Sequence, residues 1–276
     1  MVIEVAAGLP VVRNPRFRRP DKQQFHRTSG CLIRPLPHPD RTDGNGRPYQ
    51  RRFVCRCVRR SIDHFYGRKE GAEENMNKAM EIIRLRKELS DFSKRAFHRG
   101  LVSGTGGNMS VRIPGTDQVL ITPTGISLAD IEPEINLLMN LDGTVLENPC
   151  DLKSSKETGF HLAAYRLRPD VGAVAHLHPP YATAYSNKLN PLPMVTVSAR
   201  GVLKEVPCIE SAVAGSKELS GFVQEGLKKY PSAKVILMQE HGILALGLDL
   251  SNAYYLSDLA EDTAMIAFIE GNIKIA

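Results

Sequence analysis

The sequence predicts a layered α/β domain in residues 76–276. Short apolar runs of strand type alternate there with longer stretches whose apolar residues recur at helical spacing. Strands interleaved with helices over such a length are typical of one sheet covered by helices. The chain has 276 residues, of which 42% are hydrophobic, so it can bury a core of this size. It has no run of about 18 apolar residues, which argues against a transmembrane helix.

The elements follow from the pattern of apolar residues and from the prolines and glycines between them. The first helix places Met80, Ile83 and Leu89 near helical spacing, and the Gly-rich turn SGTGGNMS follows it. The predicted helices cover residues 78–97, from about 154 to 168, 181–186, 217–230 and 250–268. The predicted strands cover residues 109–113, 119–122, 135–140, 172–178, 234–239 and 242–246.

Residues 1–75 differ from the rest of the chain in charge and in pattern. The whole chain has a formal charge of +6, yet this segment carries a net +8 and residues 76–276 carry a net −2. It is rich in proline and arginine and has no sustained apolar period, so we expect a disordered basic extension. Three interpretations stay open: an Arg-rich targeting peptide, a nucleic-acid-binding arm, or leader sequence upstream of a true start at Met76.

The cysteines argue against a secreted protein. Their number is five, which is odd, and no secretory apolar segment opens the chain. Cys55 and Cys57 form a C-x-C pair without a matching second pair, which is only a weak indication of a metal site. We therefore expect a cytoplasmic protein.

The strongest local motif is the pair His176 and His178 at the end of a predicted strand. Residues i and i+2 of a strand face the same side, so both imidazoles should point to one place. Two imidazoles suit zinc or a similar divalent ion, although two packed or surface histidines would give the same pattern. His241 follows another apolar strand in the sequence QEHG and is a second candidate, but alone it would fit a turn histidine.

Glu157 has two interpretations. Ser154 and Glu157 have the spacing of a helix capping box, which is the interpretation that spacing alone favours. Glu157 and His161 also stand four residues apart, which would place both on one helix face. Because His161 lies within the apolar sequence FHLA, we interpret it as a core histidine and leave it out of the candidate site.

Two segments have the character of anion-binding loops. SGTGGNMS and ITPTGIS would expose backbone N–H groups and hydroxyls, which suit a phosphate. Neither has the spacing of a nucleotide-binding fingerprint, and both are also ordinary turn sequences.

Together these segments resemble the class II aldolase and adducin family. The matching stretches are SGTGGNMSVR, LITPTGI, SSKETGFHLAAYRLRPDVGAVAHLHPPYATAYS and QEHGILALG, in family order over nearly all of residues 76–276. The resemblance implies a three-layer αβα sandwich with a mixed, largely antiparallel central sheet. It also implies a homotetramer with sites at subunit interfaces, and it fits a natural start at Met76.

The resemblance implies a role for particular residues. His176, His178 and His241 match three histidines that bind zinc, or another divalent metal such as Mn2+ or Co2+. Glu157 matches a glutamate that ligates the resting metal and acts as the catalytic acid and base. The substrate phosphate would be held by three pairs of residues, which are Gly107 and Asn108, Thr124 and Gly125, and Ser155 and Lys156.

The implied activity is a metal-dependent carbon–carbon lyase of carbohydrate metabolism. It would cleave a small ketose 1-phosphate to dihydroxyacetone phosphate and an aldehyde, as fuculose-phosphate aldolase does, and its partner would be the phosphorylated sugar rather than a membrane or a nucleic acid. Lys156 stands where the family often has serine, which favours decarboxylation of a 3-oxo-tetronate 4-phosphate as an alternative. Val197 stands near the position of a proton-donating tyrosine. A non-catalytic, adducin-like interaction module is the third alternative, although such modules lose metal ligands that are present here.

Overall fold

The centre of the protein is an eight-stranded mixed sheet made from the strand-like runs of the sequence. The computed structural model describes residues 72–273 of the chain. Along the sheet the strands follow the order β4-β3-β2-β1-β5-β8-β7-β6, and all neighbours are antiparallel except β6 and β7. The strands are β1 (Asn108–Arg112), β2 (Gln118–Ile121), β3 (Leu137–Asn140), β4 (Val145–Glu147), β5 (Ala173–Leu177), β6 (Cys208–Ile209), β7 (Val235–Met238) and β8 (Gly242–Gly247).

Helices cover both faces of this sheet. Several begin at a residue whose side chain accepts a backbone N–H of the first turn, as Ser216 and Asp249 do. Two short 3-10 turns, Leu128–Asp130 and Pro133–Ile135, connect β2 to β3. The helices are α1 (Ala72–His98), α2 (Thr158–Leu167), α3 (Pro180–Ser186), α4 (Val197–Val202), α5 (Lys217–Lys229) and α6 (Leu250–Asn272).

Alternating side chains divide the core into two apolar layers. On β5, Ala173, Ala175 and Leu177 belong to a cluster shared with α1, α3 and α6, whereas Val174 belongs to a second cluster shared with α2 and α5. This period of two is the strand pattern, and it places one helical layer on each face of the sheet. The arrangement confirms the predicted αβα sandwich with a mixed, largely antiparallel sheet.

The predicted helices and strands are present, with ends that differ by a few residues. Three elements, β4, β6 and α4, are present in addition to the predicted ones. All three residues of β4 are exposed at the edge of the sheet, so its sequence shows no alternation of apolar and polar residues. Strand β6 has two residues and α4 has six, which is too short to show a period. The third predicted strand begins at Leu137 rather than at 135, because a 3-10 turn holds Ile135.

The predicted basic extension, residues 1–75, lies outside the described residues except for 72–75. Those four residues form the start of α1, so the helix begins before Met76. Cys55 and Cys57 also lie outside the described part. Among the helices of residues 72–273, none is long and apolar enough to cross a membrane.

Candidate active site

Three histidines meet where the end of β5 lies beside the start of β8. His176 is on β5, His178 follows that strand, and His241 directly precedes β8. The two strands are antiparallel, with His176 opposite Leu244, so these strand ends are neighbours. The ring centroid of His176 lies 4.8 Å from that of His178 and 4.8 Å from that of His241. One nitrogen from each ring lies within 4.8 Å of the others, so the group could hold a metal ion.

Hydrogen bonding and burial keep these histidines suited to a metal. Nδ1 of His176 lies 2.9 Å from the carbonyl oxygen of Ile243, so this nitrogen donates its hydrogen to the backbone and Nε2 is the nitrogen that faces His178 and Glu157. Burial, together with the neighbouring His176 and His241, lowers the pKa of His178 to about 3. His178 is therefore neutral near pH 7, which is the form that binds a metal.

The carboxylate of Glu157 lies against two of these imidazoles. Its Oε2 is 3.2 Å from Nε2 of His176, and its Oε1 is 3.2 Å from Nε2 of His241. Oε2 also accepts a hydrogen bond of 2.8 Å from the side-chain amide of Asn108. Burial opposes ionisation of Glu157, but the two histidines and Asn108 outweigh it, and the pKa of Glu157 falls well below its usual range. The carboxylate is ionised.

The predicted capping box is wrong. Glu157 occupies the N-cap position of α2, yet its side chain makes no capping hydrogen bond. Ser154 instead forms a β-bridge with Pro123, which joins the TPTG loop to the segment before α2. The spacing of Ser154 and Glu157 fits a capping box, but contacts with histidines far along the chain decide where the carboxylate points.

A divalent cation fits this arrangement of atoms. Oε1 of Glu157 is buried and makes no hydrogen bond of good geometry among the described residues beyond its contact of 3.2 Å with Nε2 of His241, although a buried carboxylate oxygen is normally well satisfied. Three imidazole nitrogens surround the same space. Three nitrogen donors and one carboxylate oxygen form a donor set that zinc accepts. A bound cation would satisfy Oε1 and balance the buried negative charge.

Glycines in the Gly-rich loop and at the start of β8 allow the ring of His178 to lie where it does. A Cβ on Gly106 would lie 2.8 Å from Nδ1 of His178, and a Cβ on Gly242 would lie 2.8 Å from its Cδ2. Gly107 has a φ of +70°, and a Cβ there would lie 3.0 Å from the carbonyl oxygen of His176. The Gly-rich loop is thus required for close contact with the histidines, in addition to any contact with an anion.

Apart from His176, which is fully buried behind them, the histidines and Glu157 line one cleft, which also contains most of the predicted phosphate-binding residues. Gly125 is not among the lining residues; it has a φ of +76° and forms the turn beside Thr124. Gly106 and Ala214 also line the cleft but are not among the predicted residues: Gly106 lies in a loop predicted only to bind an anion, and no sequence pattern marks Ala214. The cleft is lined by residues 105–108, 123–124 and 155–157 together with His178, Ala214 and His241.

His161 is a core histidine, as predicted. It is fully buried and stacks against Phe160, with ring centroids 5.2 Å apart. Its Nε2 lies 2.6 Å from Oδ1 of Asn108, and its Nδ1 lies 2.7 Å from the hydroxyl of Ser110. Asn108 therefore stands between His161 and Glu157, so the two residues four apart on α2 do not share one ligand position.

Comparison with known proteins identifies the family. The sequence model of the family described as class II aldolase and adducin N-terminal domain matches residues 87–268 of this chain. An L-fuculose phosphate aldolase of Methanococcus maripaludis is 32% identical over 190 residues, which are 68% of this chain and 99% of that protein. A 5-deoxy-D-ribulose 1-phosphate aldolase of Bacillus thuringiensis serovar kurstaki is 31% identical over 189 residues, covering 68% and 86% of the two chains. A solved L-fuculose 1-phosphate aldolase superposes with a TM-score of 0.64 at 31% identity, over 68% of this chain and 87% of the other.

The chain belongs to the class II aldolase and adducin family, as its motifs predicted. Its aldolase relatives indicate that it is a carbon–carbon lyase. Metal dependence is typical of this family, and the three-histidine group described above could supply the metal site.

Proposed function

We propose that this protein is a zinc-dependent aldolase that cleaves a small ketose 1-phosphate to dihydroxyacetone phosphate and an aldehyde. The observation that carries the proposal is the buried carboxylate of Glu157, which lines a cleft and lies against two imidazoles of the three-histidine group. The names of both aldolase relatives specify a phosphorylated sugar, which supports this substrate class. Zinc fits the donor set best, with Mn2+ or Co2+ as substitutes.

The substrate phosphate would lie at the part of the cleft formed by the Gly-rich loop, the TPTG loop and the start of α2. These segments offer backbone N–H groups, hydroxyls and one ammonium group, which together suit a phosphate. Because residues 76–276 carry a net charge of −2, phosphate affinity has to come from such local donors. The residues are Gly107, Asn108, Thr124, Ser155 and Lys156, with Gly125 shaping the turn.

His176, His178, His241 and the resting Glu157 would hold the metal. When bound, the metal would polarise the substrate oxygens and stabilise the negative charge that develops as the carbon–carbon bond breaks.

Glu157 would handle the proton that the reaction requires. Retro-aldol cleavage breaks the bond between C3 and C4, the hydroxyl proton of C4 leaves, and C3 of the dihydroxyacetone phosphate half gains a proton. Glu157 is ionised at rest and lies on the wall of the cleft, so it can take up one proton and deliver it to C3. The phosphate contacts would hold the carbon chain in register for this transfer.

A panel of ketose 1-phosphates tests the proposal, with dihydroxyacetone phosphate and the aldehyde identified as products. We expect Glu157→Gln to lower turnover by about 100-fold or more and to keep phosphate affinity. Glu225, an exposed residue of α5, provides the matched control, and Glu225→Gln should keep native turnover. Native turnover in Glu157→Gln would exclude the proposed acid–base role. Failure to bind stoichiometric divalent metal after zinc addition would overturn the metal assignment.

Decarboxylation of a 3-oxo-tetronate 4-phosphate is the alternative, and Lys156 favours it. This residue lies on the cleft wall beside Glu157, where its ammonium could pair with a substrate carboxylate. Incubation with 3-oxo-tetronate 4-phosphates, with release of carbon dioxide as the readout, separates the two reactions. Lys156→Ser should weaken the acid substrate more than the ketose phosphate if the alternative holds.

A homotetramer with sites at subunit interfaces is part of the proposal. Large apolar side chains that stay exposed on the described surface support it, and Val197, Val213 and Leu248 are 80%, 79% and 72% exposed. Light scattering after size-exclusion chromatography should give the mass of four chains, and a monomer would contradict the assembly.

A further inference from the structure

A chain of buried hydrogen bonds runs from Glu157 into the core between α2 and β1. It passes from Glu157 to Asn108, then to His161, to Ser110 and to Tyr165, over distances of 2.8, 2.6, 2.7 and 2.8 Å. All five residues are at most 8% exposed. The proposed function uses only Glu157, as a metal ligand and proton carrier, and Asn108, at the phosphate.

The spacing of the two elements explains why this chain can form. Glu157, His161 and Tyr165 are four residues apart on α2, and Asn108 and Ser110 are two residues apart on β1. Four helical residues rise about 6.0 Å and two strand residues about 6.7 Å, so side chains from the two elements alternate in step. This chain of hydrogen bonds therefore connects α2 to β1 through side chains that alternate between the two elements.

The acceptors at one end fix the direction of every hydrogen bond. Nδ2 of Asn108 donates to Oε2 of Glu157, and Oδ1 of Asn108 accepts from His161 because an amide oxygen can only accept. Burial, with a further contribution from His176, lowers the pKa of His161 to about 3, so its ring is neutral. Nε2 therefore carries the hydrogen, and Nδ1 accepts from the hydroxyl of Ser110.

We propose that His161 is a positioning residue that makes the two oxygens of Glu157 inequivalent. Its Nε2–H holds Oδ1 of Asn108, which turns the amide N–H group of Asn108 toward Oε2 of Glu157. Oε2 is thereby held by Asn108, whereas Oε1 makes no hydrogen bond of good geometry among the described residues and has only the contact of 3.2 Å with Nε2 of His241 described above, so Oε1 is the oxygen available to the metal and to a proton. The consequence for turnover rests on the proposed function, whereas the consequence for metal binding does not.

Two substitutions at position 161 separate positioning from packing. The amide nitrogen of glutamine stands as many bonds from Cα as Nε2 of histidine, so His161→Gln can still donate to Asn108. The side-chain atoms of asparagine match Nδ1 instead, so His161→Asn can still bond Ser110 but leaves Asn108 without its donor. Both variants lose the ring that stacks on Phe160, so their loss of stability should be similar.

Zinc affinity of the full chain, measured by competition with a chelator, is the first readout. We expect His161→Asn to lose about 10- to 100-fold in affinity, as is usual when a group that orients a ligand is removed, and His161→Gln to stay within about threefold of native. Tyr165→Phe removes the far end of the chain and should also stay within about threefold. Equal losses in the Gln and Asn variants, or native affinity in both, would overturn the proposal.

Nitrogen NMR of the native protein decides the matter if both variants fail to fold. With 15N-labelled histidine, the spectrum should show His161 protonated at Nε2 and unprotonated at Nδ1; the opposite tautomer would overturn the proposal. Turnover is measured separately, with kcat expected to fall in His161→Asn and KM to stay unchanged. If zinc affinity splits as expected but no sugar phosphate is cleaved by the native protein, the proposed function fails and the positioning role stands.

Discussion

Replacing Gly106 with alanine should weaken metal binding by displacing the ring of His178. The added Cβ would lie 2.8 Å from Nδ1 and 3.2 Å from Cε1 of that ring. The φ of Gly106 is not in the left-handed region, so alanine meets no backbone strain of that kind. Carbon and nitrogen atoms in contact are normally separated by about 3.4 Å or more, so the ring has to retreat by about 0.6 Å.

A shift of this size exceeds what a metal site tolerates. Ligand distances are held within about 0.2 Å, and disturbing a group that orients a ligand costs about 10- to 100-fold in affinity. We therefore expect the zinc dissociation constant of Gly106→Ala to rise by about 10- to 100-fold, which corresponds to about 1.4 to 2.7 kcal/mol. Isothermal titration calorimetry of the metal-free protein with zinc, or chelator competition for tight binding, measures this directly.

Gly201 provides the matched control. It lies on α4, and a Cβ there would meet no atom within 4 Å, so Gly201→Ala should bind zinc with native affinity. Native zinc affinity in Gly106→Ala would refute the reasoning, since it would mean that His178 either yields without cost or is not a ligand. A loss of affinity in both variants would show that the assay reports stability rather than the site.

Three further outcomes follow from buried groups. Glu261 accepts the backbone N–H groups of Tyr181 and Ala182 at the start of α3, so Glu261→Gln should lower the free energy of unfolding by about 1 to 2 kcal/mol in urea, whereas Glu270→Gln on the exposed end of α6 should leave it unchanged. The pKa of His161 is about 3 when folded and about 6.5 when unfolded, so the unfolded chain binds more protons and stability falls as pH drops from about 6.5 toward 3, by at most about 1.4 kcal/mol per pH unit. Urea unfolding of the metal-free protein at several pH values should show a smaller slope in a His161→Gln variant, and an equal slope would contradict a neutral buried ring. Burial raises the pKa of the Cys208 thiol to about 11, so iodoacetamide should alkylate it at pH 8 only after unfolding, as mass spectrometry of the peptides would show.

Sequence patterns predicted most of the fold because the buried segments of this domain are apolar runs. The strands β5, β7 and β8 are fully buried, and each appears in the sequence as a short, mostly apolar run, with glycine at the ends of β8 and just before β5. Strand β4 was not predicted because none of its residues is buried, and β6 was not predicted because it pairs with β7 over only two residues. At such positions the sequence shows no alternation between apolar residues on a buried side and polar residues on an exposed side, so the strand cannot be recognised.

The histidines of the site were predictable, while the direction of Glu157 was not. His176 and His178 stand two apart on one strand, so local geometry already brings their side chains to one face. Glu157 comes directly before a helix. A glutamate at this position could cap the helix or bind a metal, and its spacing from Ser154 does not distinguish the two roles. The direction of the Glu157 side chain is decided by its contacts with His176 and with His241, which is more than 80 residues away along the chain. A pattern in the local sequence cannot reveal a contact between residues so far apart.

Helix α2 couples the candidate metal centre to the stability of the core. Glu157 lies at its N-cap, and Phe160 in its first turn packs edge-on against His176, with ring centroids 5.3 Å apart. Its buried residues belong to the apolar layer that the sheet shares with α5. A substitution that loosens α2 would therefore change the position of the carboxylate before the protein unfolds. Because the three histidines lie on or beside β5 and β8, the sheet would keep them together, and the loss would show first in the contact between Glu157 and the imidazoles.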